Sequence, residues 1–394
     1  MTRSPAGTAV TLDAGRLLDE ACRRTGLSDF GDPTLPARFG VLVEHMRAAG
    51  MDSAGERIAA DECVHQLTTR LRFFADRSTY PVADEVITAP LFATGEPRSG
   101  TTLLHALLAA DPESRALRFW EVMDPSPPPG LAAQDDPRRA RADEQWREII
   151  ERIPKWLVNH PYNDMLGNGL PECERTWGFD FRVMGPTVWW RVPMRMIMAG
   201  LPSDPAAQYR LHKMMLQQCQ YGRAPKRWVL KGFHSARLDA LFREYPDATV
   251  IWTHRDPVQV IASRIVMAGE LDEGLTGSVD WAATARYYLA LSRQSIAATL
   301  SSPYLDDPRV HHVRYPEFVA DPEGTIAGCY ARYGMPVTVD FEQAMRAYLA
   351  ANRSDRYGKF RYSLDVIGAD IDALHAEFRP YRERFGLDIE QRTH

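Results

Sequence analysis

An α/β fold, a mostly parallel sheet flanked by helices, is the architecture this sequence predicts. Three observations carry the prediction. From about residue 86 onward, short apolar runs that read as buried strands alternate with longer helical patterns. That alternation is the signature of a parallel sheet covered on both faces. A glycine-bearing turn, Gly95 to Gly100, joins the first such run to a helix, and a long Trp-, Met-, Pro- and Arg-rich stretch, roughly 125 to 227, interrupts the alternation.

In order along the chain, residues 12 to 77 read as helical. Leu17, Leu18 and Cys22 recur at helical spacing, as do Val64, Leu67, Leu71 and Phe74. Thr79-Tyr80-Pro81 breaks that pattern, so 1–84 is expected to be a helical extension packed on a main domain of residues 85–394. Val86 to Thr94 reads as a buried strand, and Thr101 to Ala110 as a helix that stops before Asp111-Pro112. Leu117 to Trp120 reads as a short strand. Ser126-Pro127-Pro128-Pro129-Gly130 excludes helix or central strand and opens an insert, 125–227, with a charged helix near 136 to 152. The alternation resumes with strands at Trp228–Lys231, Thr249–Thr253 and Val310–Arg314. Helices are expected from Leu238, from Pro257, near 280 to 300, and from Asp321-Pro322.

The chain has 394 residues, 45% of them hydrophobic and 25% charged, with a formal net charge of −5. This balance argues against bulk binding to nucleic acid or anionic membrane while allowing a local basic pocket. Cys22, Cys63, Cys173, Cys219 and Cys329 are widely spaced and form no CxxC pair, so they read as reduced thiols. The opening MTRSPAGTAV lacks the apolar core of a signal peptide, and no apolar run approaches the roughly 18 residues that span a bilayer. A soluble, cytoplasmic protein without membrane insertion is expected.

Leu91 to Leu104 reads LFATGEPRSGTTLL, an apolar strand, a tight turn and an apolar helix. A helix N-terminus presents unpaired N–H groups and the positive end of the dipole, so an anion belongs there. Gly95 and Gly100 let the backbone curl around phosphate oxygens, and Ser99, Thr101 and Thr102 add hydroxyls. The sheet is therefore P-loop-like. Gly95 and Gly100 have the Walker A spacing, but Thr101 stands at the lysine position and the basic residue is Arg98, inside the loop. That departure counts against a Mg²⁺-dependent phosphotransferase. A second anion site is read at Arg255, at a strand end, and Ser263, eight positions later in the next helix.

These two sites at this separation resemble those of the sulfotransferases that use 3′-phosphoadenosine 5′-phosphosulfate (PAPS), in particular a bacterial branch with a helical N-terminal extension. The resemblance spans about residues 85 to 386. It implies that Pro97-Arg98-Ser99-Gly100-Thr101-Thr102 holds the 5′-phosphosulfate and that Arg255 and Ser263 hold the 3′-phosphate. Lys231-Gly232-Phe233-His234 is similar to a family segment that supplies a lysine and, in many members, a histidine base. The family spacing is Lys-x-His, and here it is Lys-x-x-His. Tyr315, within Val313 to Phe318, is similar to a residue beside the adenine. Arg356, Gly358, Lys359 and Arg361 resemble a late basic loop over the 3′-phosphate.

The implied activity is transfer of a sulfuryl group to a hydroxyl of a small, apolar acceptor by in-line displacement. Arg98 would neutralise the leaving oxygen and Lys231 would share the transferring group. His234 is the first candidate for general base, Glu121 the second, and Glu172 and Glu174 follow. Trp156, Trp177, Trp189, Trp190, Met194, Met196 and Met198 are expected to supply the acceptor pocket or a subdomain core. No Asp, His or Cys cluster has metal-ligand spacing, so no metal is expected; His311 and His312 point to opposite faces of a strand. The competing readings are a P-loop phosphotransferase and a non-catalytic nucleotide-binding protein of the same fold.

Overall fold

The computed structural model describes residues 12–153, 155–182, 203–353 and 355–390. Trp189, Trp190, Met194, Met196 and Met198 lie outside them.

Five parallel strands form one sheet: β1 (Leu91–Gly95), β2 (Ser114–Arg115), β3 (Arg227–Lys231), β4 (Thr249–His254) and β5 (Val310–Arg314), in the order β2-β3-β1-β4-β5. In the central strand β1, Phe92 lies opposite Leu230 of β3 and Val250 of β4. The loops that leave β1, β3 and β4 therefore open at one end of the sheet, where parallel α/β sheets bind ligands.

Side-chain alternation divides the core in two. Phe92, Leu230, Val250 and Trp252 face a cluster completed by Tyr209, Met215, Leu241 and Tyr245. Leu91, Ala93, Val229 and Ile251 face a second cluster with Leu104, Leu107, Phe318, Ile326 and Tyr330. Aspartate caps start two of the helices that follow β4 and β5. Asp256 caps Pro257–Thr276, and Asp321 caps Pro322–Arg332, each with proline at the first helical position. Among the described residues no helix is long and apolar enough to cross a membrane.

The N-terminal helices α1 (Ala14–Thr25), α2 (Leu35–Ala48) and α3 (Ser53–Thr79) share an apolar cluster that also takes in Phe181. Beside it, the Asp180 carboxylate meets Arg38 at 2.8 Å, Arg70 at 3.0 Å and Arg182 at 2.5 Å. This buried charge group joins the helices to the chain that follows Trp177.

Two expected strands are corrected. The Val86–Thr94 run pairs only from Leu91, because Pro90 has no N–H and the preceding Ala89 takes a positive φ of 43°. Leu117–Trp120 is not a strand. Pairing ends at Arg115, and a short helix, Phe119–Met123, begins where Glu121 Oε2 accepts the Arg118 N–H at 2.9 Å. That capping carboxylate sits three residues past the cap and favours the helix.

Candidate functional site

The turn after β1 is shaped by close backbone approach. A Cβ on Gly95 would lie 2.4 Å from Thr253 Oγ1 and 2.6 Å from the Thr253 carbonyl oxygen of β4, so only glycine fits. Arg98 and Gly100 take positive φ values of 73° and 88°. Ser99 is buried, its Oγ donating to the Glu96 carbonyl at 2.6 Å and lying 2.8 Å from Thr253 Oγ1. This bracing turns the loop onto the N-terminus of the helix Thr101–Leu108, which no side chain caps. The result is a cradle of backbone N–H groups, with the Thr101 and Thr102 hydroxyls beside it, that suits an anion.

Three cations surround the cradle. Lys231, at the end of β3, places Nζ 3.1 Å from Thr102 Oγ1 and 2.7 Å from Glu172. Arg98 turns away from its own loop: Nε donates to Ser263 Oγ at 3.0 Å, Nη1 donates to the Asn159 carbonyl at 2.9 Å, and the guanidinium lies 4.7 Å over Phe360. Arg255 donates from Nη1 to the Arg98 carbonyl at 3.0 Å and lies 4.3 Å over the Tyr315 ring. Tyr315 in turn packs against Gly100, whose Cβ would meet its ring at 2.9 Å. Arg255, Ser263 and Tyr315 are thus brought to the first loop, and Arg98 links the two halves.

The late basic loop lies across the same end. Arg356 meets Asp164 at 2.8 Å, and the Tyr357 hydroxyl donates to Asp164 Oδ2 at 2.9 Å. Gly358 takes a φ of 109° near Val158, and Lys359 and Arg361 are exposed.

The family model for the sulfotransferase family matches residues 90–339, well over half of the chain. The chain belongs to the sulfotransferase family. A sulfotransferase of Mycobacterium avium is 27% identical, over 99% of this chain and 100% of that one, with a TM-score of 0.82. A second, from Mycobacterium tuberculosis H37Rv, is 26% identical, over 96% of this chain and 99% of that one, with a TM-score of 0.76. No curated protein matches the chain significantly.

In this sulfotransferase the candidate bases fall in different surroundings. Glu121 is not at the loop. Its carboxylate bonds Arg115 at 3.0 Å and Arg223 at 2.5 Å on the β2 edge, two strands away, besides capping its helix. His234 is fully buried, with Nδ1 at 2.6 Å from the Tyr209 hydroxyl, and burial holds it well below the ordinary histidine range. Glu172 pairs with Lys231. Glu174 is buried, one oxygen taking the Phe233 N–H at 2.6 Å. Burial first, and then the Glu172 carboxylate, push its carboxyl up to about 7. Trp177 is a core residue stacked edge-on to Tyr209 and His234, whereas Trp156 is half-buried. Among the described residues no three His, Cys, Asp or Glu side chains gather in a metal-holding group.

Sequence reasoning missed several members of the site. Glu390 bonds Arg255 through both carboxylate oxygens, one of them at 2.8 Å from Nε. Its carbonyl and N–H are tied to Gln259 and Asp256. Tyr362, Asn159, Asp164 and Thr253 were likewise unforeseen. Glu390 is separated from Arg255 by 135 positions, and no local spacing announces such a contact.

Proposed function

We propose that this sulfotransferase uses PAPS as donor and transfers its sulfuryl group to a hydroxyl of a small, apolar acceptor by in-line displacement. The observation that carries the reading is the Arg98 side chain, which bridges the phosphate loop and Ser263 at 3.0 Å, with Arg255 bonded to the same loop residue's carbonyl. Two anion-binding ends within one cleft suit a nucleotide that bears phosphate at both its 5′ and 3′ positions. A nucleoside triphosphate would use the first end alone.

In this reading the loop from Pro97 to Thr102 cradles the 5′-phosphosulfate. Lys231, beside Thr102, stabilises charge on the transferring group and the leaving oxygen. Arg98 adds positive charge at the junction. Arg255 and Ser263 take the 3′-phosphate, which competes with Glu390 for the guanidinium. Tyr315 supports the nucleoside, and the loop from Arg356 to Arg361, with Gly358 and Lys359, closes over it. Catalysis is then positioning plus charge stabilisation, with no metal called for. We place the protein in the cytoplasm, with residues 85–394 as the transferase domain, 125–227 covering the acceptor and 1–84 packed against it.

Thermal or chemical unfolding with adenosine 3′,5′-bisphosphate tests the donor assignment. In the presence of EDTA, ligand at 100 times its dissociation constant should add ~2.7 kcal/mol of stability. Equal stabilisation by adenosine 5′-phosphate at the same concentration would remove the 3′-phosphate site from the proposal. A preference for ATP with Mg²⁺ would favour a phosphotransferase.

A further inference from the structure

Two buried polar atoms next to the phosphate loop have no hydrogen-bond partner: Glu174 Oε2 and His234 Nε2. Glu174 is 4% exposed and His234 0%. Leaving such atoms unpaired costs free energy, so their presence beside a reactive site needs a reason. They converge on Gly232. A Cβ there would stand 2.8 Å from Glu174 Oε2 and 2.9 Å from His234 Nε2. The two atoms are thus no farther apart than two hydrogen bonds laid end to end.

The surroundings fix both groups. Glu174 opens a short helix just after Cys173, whose N–H donates to the Lys231 carbonyl at 2.7 Å. Its other oxygen is anchored by the Phe233 N–H. The His234 N–H donates to Thr94 Oγ1 at 2.9 Å, and the Thr94 hydroxyl donates to the Gly232 carbonyl at 2.9 Å. Thr94 is the residue before Gly95, so the pair is tied to the start of the phosphate loop. Burial pushes the Tyr209 phenol well above its ordinary range, so it keeps its proton. With that phenol donating to His234 Nδ1, the hydrogen of the neutral ring lies on Nε2, facing Gly232.

We propose that the acceptor hydroxyl is held beside Gly232 between these two atoms, with Glu174 as the general base and His234 as the donor that orients the acceptor oxygen. This rests on the sulfotransferase reading above. The acceptor oxygen takes a hydrogen bond from His234 Nε2 and gives its proton to Glu174 Oε2. An acceptor O–S bond forms as the S–O bond to the donor phosphate breaks. The electron pair of the broken bond leaves on that phosphate oxygen, beside Lys231 and the loop. His234 is neutral throughout. The raised Glu174 carboxyl supports the assignment, because a base that ionises near neutrality is well matched to an alcohol. The charged and titratable groups facing it are Glu172 and Cys173 on its own segment, Lys231 at the end of β3, His234 and Arg237 after it, and Tyr209 from the helix Pro205–Gln220.

The test is Glu174→Gln, which keeps the oxygen that accepts from Phe233 and removes the base. The probes are ³⁵S-labelled PAPS with 2-naphthol as acceptor, and PAPS with water alone. Turnover with either probe should fall by ~10²–10⁴-fold while adenosine 3′,5′-bisphosphate affinity stays within about twofold. The wild type should show kcat/KM rising with pH toward about 7, and the variant should lack that rise. His234→Gln should raise KM for 2-naphthol more than it lowers kcat, a split that a purely structural histidine would not give. Wild-type turnover and pH profile in folded Glu174→Gln would overturn the proposal. A melting comparison tests, independently of turnover, whether Glu174 is kept there at a cost to stability. A carboxyl raised from 4.5 to about 7 in the fold withdraws stability as pH climbs through that interval, so Glu174→Gln should be the more heat-stable form at pH 8 and lose its advantage toward pH 4.5. Lower stability of the variant at pH 8 would make Glu174 a structural residue. Failure of the bisphosphate to bind the wild type would instead strike the donor assignment.

Discussion

The phosphate loop and the segment from Trp156 to Arg182 meet at the carboxyl ends of β1 and β3, and they are held together by different interactions. The loop is contiguous in sequence. Its shape comes from glycines at positions where a Cβ would clash, from Ser99 bonded to the Glu96 carbonyl, and from a bare helix N-terminus. The facing segment is held by carboxylates with distant partners. Asp180 meets Arg38 and Arg70 of the N-terminal helices, Asp164 meets Arg356 and Tyr357, and Glu172 meets Lys231. Local backbone geometry thus shapes the proposed donor end, where a single side-chain substitution is expected to weaken binding without unfolding the chain. Ion pairs with distant partners, the Asp180 group buried among them, make the facing segment dependent on the integrity of the whole fold.

Asp180→Ala should show the largest effect. It leaves Arg38, Arg70 and Arg182 clustered without their shared carboxylate, and removing one partner of a buried pair costs ~3–5 kcal/mol. Denaturant unfolding should register that loss, with the bisphosphate affinity of the remaining folded protein unchanged. A drop in affinity as large as the drop in stability would mean the two regions are one cooperative device.

Lys231→Ala comes next, because Lys231 belongs to neither region and contacts both, Thr102 on one side and Glu172 on the other. Loss of its charge at the transferring group should lower kcat by ~10²–10³, the worth of one preorganised electrostatic donor. Binding of the sulfate-free bisphosphate should change little. Equal losses in both quantities would make Lys231 a ground-state binder.

The smallest effects sharpen the donor end. Arg255→Ala should weaken bisphosphate binding by ~1.5–3 kcal/mol and Ser263→Ala by ~0.5–1.5 kcal/mol, since hydrogen bonds from charged groups are the stronger kind. Titration calorimetry distinguishes them. The reverse order would indicate that Arg255 stays with Glu390 when the nucleotide binds.

The loop was legible because its chemistry is local. Gly95, Arg98, Gly100 and the two threonines lie within eight residues and follow an apolar strand, so spacing alone placed an anion there. Strands β3, β4 and β5 were legible for the same reason, as apolar runs bounded by turn residues. Glu121 misled the reading because the run from Leu117 to Trp120 looks like a strand, and only the cap formed with the Arg118 N–H converts its end to helix. Glu174 looked like one carboxylate among several. Its burial and its half-satisfied hydrogen bonding depend on Phe233, Gly232 and His234 coming to it from another strand's end.

By itself, then, the sequence determined the alternating strand-and-helix architecture and the glycine-bearing turn between the first strand and its helix, and it proposed the anion sites at that turn and at Arg255 and Ser263. Hydrophobic period, glycine placement and helix capping act over a few residues and need no distant partner. The tertiary structure decided which carboxylate stands beside the loop, that Arg98 reaches Ser263, and that Glu390 occupies Arg255. Desolvation and charge pairing are set by whatever packs around a group, and in this chain those neighbours arrive from more than 50 positions away.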